Sequence, residues 1–206
     1  MDHPIFTESM RIIRERLGTG GPGGVEQEVL ERLVHSSGDL AIVPDLRFSA
    51  GACQLGMAAL AGRAVILTDT AMAAAAVAPM AGRTFANPVH CILDWAPAVA
   101  PPGGTRSAEG MAAALLEHPQ AVVLIGSAPT ALERLLQLVE GIDPAADRLP
   151  ALVIGMPVGF VGVAESKRHL ACSDLPQIRL EGSKGGAGLV AAATNALLRR
   201  AWLERL

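Results

Sequence analysis

Pro150-Ala-Leu-Val-Ile-Gly-Met-Pro-Val-Gly-Phe-Val-Gly-Val-Ala-Glu-Ser-Lys167 is a hydrophobic run that breaks into glycines and prolines and then into Glu165, Ser166 and Lys167. The segment 152–154 has the composition of a buried strand, and it stops at a polar mouth. Open α/β sheets hold ligands at such strand ends, because glycine lets backbone approach a bound molecule and the next helix presents free N–H groups. Working outward, similar short apolar runs occur at 40–43, 64–68, 89–93 and 122–125. Between and around them, helix-compatible stretches cover 5–17, 25–34, 52–60, 70–78, 108–117, 131–140 and 185–202. Strand and helix alternating in this way predict parallel β-α-β units with right-handed crossovers.

The chain has 206 residues, half of them apolar, which is enough for one domain with a large core; the reading is a single domain over 1–206. Tyrosine is absent and aromatics are scarce, so the core must be Ala, Val, Leu and Ile, suited to helices packed on a parallel sheet. The strongest internal break, 97–104 with Pro101-Pro102-Gly103-Gly104, reads as a loop within that domain. A formal net charge of −3 without a basic block argues against nucleic acid as a partner. Cys53, Cys91 and Cys172 are far apart and show no metal-ligand or disulfide-framework spacing, so no metal site is expected. No apolar run reaches membrane-spanning length and no signal peptide is read, which places the protein in the cytoplasm.

The strand ends collect the polar residues. Ala64-Val-Ile-Leu-Thr-Asp69-Thr70 ends in an acid and a hydroxyl, and Val122-Val-Leu-Ile-Gly126-Ser127-Ala-Pro129-Thr130 in a turn. In a doubly wound sheet Asp69, Ser127, Thr130 and Ser166 would line one cleft; helix capping is the competing role for Asp69, Ser127 and Thr130. His35 lies where a helix should stop, beside Ser36, Ser37, Gly38 and Asp39, and is the candidate proton donor or acceptor. A histidine placed there by the helix dipole is the alternative. His3 and His118 read as surface residues, and His90 as a core or strand-edge histidine. Neither glycine tract, 18–24 or 182–188, has the spacing of a nucleotide-binding loop, although 185–186 precede a helix whose N-terminus would suit a carboxylate. Arg106, Lys167 and Lys184 are the candidate cationic clamps for an anionic ligand.

Taken in order, these residues resemble a known family. Val34-His35-Ser-Ser-Gly38-Asp39, Thr68-Asp69-Thr-Ala-Met72, Thr105-Arg106-Ser107-Ala108, Gly126-Ser-Ala-Pro-Thr-Ala-Leu132, Pro157-Val-Gly-Phe-Val-Gly162 with Glu165-Ser-Lys167, Gly182-Ser-Lys-Gly-Gly186 and Asn195-Ala-Leu197 are similar to the precorrin-8X methylmutases. The resemblance runs from Pro4 to Leu197. It implies an α/β fold, a three-layer α/β/α sandwich with a mostly parallel, flavodoxin-like sheet, and a homodimer with its sites near the subunit interface. It also implies an isomerase that moves a methyl group from C11 to C12 of precorrin-8X, or its cobalt form, in cobalamin biosynthesis. No cofactor is expected, any cobalt being part of the substrate. A non-catalytic tetrapyrrole carrier is the alternative, and a flavodoxin-like module binding a phosphorylated ligand at the glycine turns is a third reading. His35 matches the family histidine thought to protonate or hydrogen-bond the macrocycle. The implied substrate-binding set is Ser9, Asp69, Thr70, Arg106, Ser107, Ser127, Thr130, Ser166, Lys167 and Lys184. Ser127 stands where the family usually has asparagine, and Ala187 closes a glycine motif that usually carries one more charge.

Overall fold

The computed structural model describes residues 3–143 and 148–205. Among the described residues six short strands form one sheet: β1 Leu46–Phe48, β2 Ile66–Thr68, β3 Val89–Cys91, β4 Val122–Ile125, β5 Leu152–Gly155 and β6 Gln177–Leu180. Their order is β1-β6-β5-β4-β2-β3, and all pairs are parallel except β1 with β6. Counting the five parallel strands along the chain gives the order 2-1-3-4-5, the flavodoxin-like doubly wound sheet, whose topological switch point falls between β2 and β4.

Strand alternation builds the two cores. Ile66, Val122, Leu124, Leu152, Ile154 and Ile178 face one layer, formed by helices α1 Pro4–Leu17, α2 Gly24–Ser37, α3 Ala52–Ala61, α4 Ala71–Arg83 and α8 Ala187–Leu203. Leu67, Val123, Ile125 and Val153 face the other, formed by α5 Arg106–Glu117, α6 Pro129–Val139 and α7 Val163–Ala171. Every residue of β4 and β5 is buried, which explains their continuous apolar sequence.

The first expected strand, 40–43, is instead a 3-10 helix, Leu40–Asp45. The Asp39 carboxylate caps it by accepting the Ala41 N–H at 2.8 Å, and Pro44 has no N–H to give a ladder, so pairing starts only at Leu46. The expected strand at 89–93 ends at Cys91, where a second 3-10 turn, Ile92–Trp95, begins. Three elements had no counterpart in the sequence reading: β1, α7 and β6.

A candidate active site at the carboxyl edge of the sheet

The turns that follow the parallel strands are stitched to one another. Asp69, one residue beyond β2, reaches across the switch point. Its Oδ2 accepts the backbone N–H groups of Gly126, Ser127 and Ala128 at 3.0, 2.6 and 2.8 Å, the turn that opens α6. Asp69 is buried; burial pushes its carboxyl up from the usual aspartate range, against the downward pull of those three donors. Thr70 caps α4 by accepting the Ala73 N–H. Gly126 meets the start of α8 so closely that a Cβ there would lie 2.7 Å from the Ala187 nitrogen. The turn before α8 is fixed in turn to β5: Gly186 N donates to Met156 O at 2.9 Å, and Gly159 N to Ser183 O at 3.0 Å.

His35 sits in the last turn of α2, where Gly38 ends the helix in the left-handed conformation (φ 65°). Its Nδ1 is hydrogen-bonded to the Ser9 hydroxyl of α1 at 2.9 Å. Phe6 meets the imidazole edge-on with ring centroids 5.5 Å apart, and the Arg32 guanidinium lies 4.9 Å from the other end of that contact, the Phe6 ring centre. Burial first, and the Arg32 charge second, hold His35 below the ordinary histidine pKa, so the ring is neutral at pH 7. The same helix end reaches α8: Ser36 Oγ donates to Gly188 O at 3.4 Å, and Lys184 pairs with Asp39 at 2.6 Å.

A hydroxyl cluster forms where α5 and α6 begin. Thr130 Oγ1 lies 2.9 Å from Thr105 Oγ1 and 3.2 Å from Ser107 Oγ. Thr105 also caps α5 through the Ala108 N–H. Arg106 is exposed beside them, with Nε donating to Pro97 O at 2.8 Å.

The expected site residues thus fall into groups. Ser9 and His35 pair at one end, Arg106, Ser107 and Thr130 gather at the other, and Thr70 and Ser127 lie between them. Three expectations are revised. Asp69 is a buried tie across the switch point. Ser166 is fully buried and donates to Val163 O, a helix-interior hydroxyl. Lys167, expected to face the ligand, is 1% exposed, and its amine is spent on the carbonyls of Gly182 and Lys184. Lys184 is half exposed but paired with Asp39. His90 and His118 stack on each other beside Trp95, near the C-terminus of α5 and away from these turns.

What sequence reading missed is an apolar rim on the same edge. Met72 after β2, Val99 after β3, and Val158, Phe160 and Val161 after β5 all point to solvent, Phe160 at 93% exposure. Large apolar side chains set at the mouth of several turns, rather than scattered singly, are the available signal.

A flavodoxin-like sandwich with polar hydroxyls, an imidazole and exposed apolar side chains along the strand ends is a small-molecule-binding α/β protein of the doubly wound class. The model of the precorrin-8X methylmutase family matches residues 4–200. The chain is 36% identical to the cobalt-precorrin-8 methylmutase of Synechocystis, with 99% of this chain and 98% of that protein covered. To the precorrin-8X methylmutase of Pseudomonas aeruginosa it is 41% identical, over 94% and 93%. A crystal structure of the precorrin-8X methylmutase from Thermus thermophilus superimposes with a TM-score of 0.86 at 36% identity, covering 97% of this chain and 96% of the other. The chain belongs to the precorrin-8X methylmutase family.

Proposed function

We propose that this protein is an isomerase of cobalamin biosynthesis that shifts a methyl group from C11 to C12 of precorrin-8X, or of its cobalt-bearing counterpart. The observation that carries the reading is the family match over residues 4–200 together with the Ser9–His35 pair at the carboxyl edge. The reaction is an intramolecular rearrangement: one carbon–carbon bond breaks, another forms, and no atom or electron enters or leaves. It calls for no nucleophile and no redox partner, so no cofactor takes part, and cobalt, where present, is carried by the substrate.

The protein's share is to select a tautomer of the macrocycle and hold its shape. Ser9 engages Nδ1 of His35 and leaves Nε2 for the ring, where it forms or relays a hydrogen bond as charge redistributes. The apolar rim of Met72, Val158, Phe160 and Val161 covers the ring faces, while Arg106 and the hydroxyls of Thr105, Ser107 and Thr130 take carboxylate arms. The protein works as a cytoplasmic homodimer. The outward face of α4, with Ala71, Met72, Ala75, Ala76, Ala78 and Pro79 exposed and no charge among them, supports self-association next to the site.

The test is incubation of the purified protein with precorrin-8X and, separately, its cobalt form, with the corrin product followed optically. Conversion is expected, and His35→Ala should slow it by about two to four powers of ten with product binding kept. Binding without conversion would make the protein a carrier. Near-normal turnover of folded His35→Ala would remove His35 from the mechanism.

A further inference from the structure

We propose that Lys167 is a positioning residue for this reaction: from inside α7 its amine holds the 182–184 turn and so sets the N-terminus of α8 against the cleft. The inference rests on the function proposed above. Among the described residues Lys167 is one of the largest fully buried side chains, and Nζ donates at 2.9 Å to Gly182 O and at 2.7 Å to Lys184 O. Interior positions favour an apolar side chain unless something there requires a donor. Here two carbonyls of one turn point inward, and Gly182 adopts φ +71° to aim them. The amine satisfies both.

The turn it grips is tied to the Phe160 loop, to the end of β5 and to the helix end that carries His35. Ser183 O accepts Gly159 N from the Phe160 loop, Lys184 reaches Asp39 below His35, and Gly186 N is bonded to Met156 O. Burial lowers the Lys167 pKa to about 8, with Asp45 pulling the other way. Arg168, Arg179, Glu181 and Lys184 are the other charged groups around it. A neutral amine keeps two N–H donors for its two acceptors, so the strut survives loss of the third proton.

The experiment is Lys167→Met in the full chain. Hydrogen exchange of amides 182–188 should accelerate by about tenfold or more. KM should rise about tenfold while kcat stays within about threefold. A folded variant with wild-type exchange and wild-type KM would overturn the proposal. So would loss of kcat at constant KM, which would put Lys167 in the chemistry. Should the variant fail to fold, 15N spectra of the wild type decide: one lysine Nζ must show slowly exchanging protons, and its absence overturns the strut. If the wild type does not convert precorrin-8X, the functional proposal fails while the exchange measurement still reads Lys167.

Discussion

Gly185→Ala is the sharpest probe of the turn that assembles this edge. A Cβ at position 185 would lie 1.9 Å from the Met156 carbonyl oxygen, 2.7 Å from its carbonyl carbon and 2.9 Å from that of Pro157. All three are backbone atoms at the end of β5, so no rotamer relieves the clash. To reach ordinary contact the turn must retreat by about 1.5 Å. That distance breaks the Gly186 N–H bond to Met156 O, at 2.9 Å, and pulls the Lys184 carbonyl from the Lys167 amine. One neutral hydrogen bond costs about 1 kcal/mol, one to a charged group about 1.5–3, and the residual overpacking about 1–3. The expected loss is about 3.5–7 kcal/mol, or a melting temperature lower by about 10–20 °C. Gly82→Ala is the matched control: nothing lies within 4 Å of its Cβ, it sits inside α4, and it should gain up to about 1 kcal/mol. Urea titration of both variants measures the difference. Gly185→Ala with wild-type stability would show that the turn is loose, and the chain of contacts from β5 to α8 would then carry no weight.

Asp69→Ala leaves the N–H groups of Gly126, Ser127 and Ala128 without their acceptor and should cost about 2–4 kcal/mol in urea titration; a stable variant would mean that the α6 turn holds itself. The Lys167 pKa is about 8 in the folded protein against 10.5 for the free side chain, so the unfolded chain binds more protons between these values. Stability therefore rises with pH across that interval, by up to about 3 kcal/mol, and Lys167→Met should flatten the rise; identical pH profiles for the two proteins would refute the burial penalty. Arg106→Met should weaken binding of the corrin product by about 1.5–3 kcal/mol, and wild-type binding should fall with salt; unchanged affinity at low salt would take Arg106 out of the site.

The sheet was legible because its middle strands are buried on both faces: β4 was read to the residue, and β2 and β5 to within two. The misses at α7 and β6 share a physical source, polar residues in inward positions. In α7 the inward stripe is Val163, Ser166, Lys167 and Leu170, half of it polar, so the helical period is hidden and two interior residues look like ligand contacts. In β6, Gln177 is buried because its amide donates to Leu170 O at 2.7 Å, and with Arg179 beside Ile178 and Leu180 the strand lacks the continuous apolar run that marked the central ones. The site was legible at His35, whose helix-ending glycine and following Asp39 are local signals. Its partner Ser9 lies 26 positions away on another helix, and no local spacing announces that bond.

The position of Asp69 bears on what this edge accepts. In doubly wound folds the ligand lies at the switch point, and a helix N-terminus there commonly receives a phosphate. Here the donors at the α6 turn are already taken by the protein's own Asp69 carboxyl group. A phosphorylated ligand would find those N–H groups occupied, which counts against the nucleotide-like reading of the glycine turns. A ligand carrying several carboxylates on a chain of net charge −3 must find its partners to either side. Arg106 and the Thr105–Ser107–Thr130 hydroxyls stand on one flank. On the other, α8 begins at Gly186 with no side-chain cap, and its first N–H groups lie near the turn that carries His35. Between these polar flanks the exposed surface is Met72, Val158, Phe160 and Val161. Polar ends separated by an apolar span match a broad ring with charged arms better than a compact polar metabolite, and that is the shape of a corrin precursor.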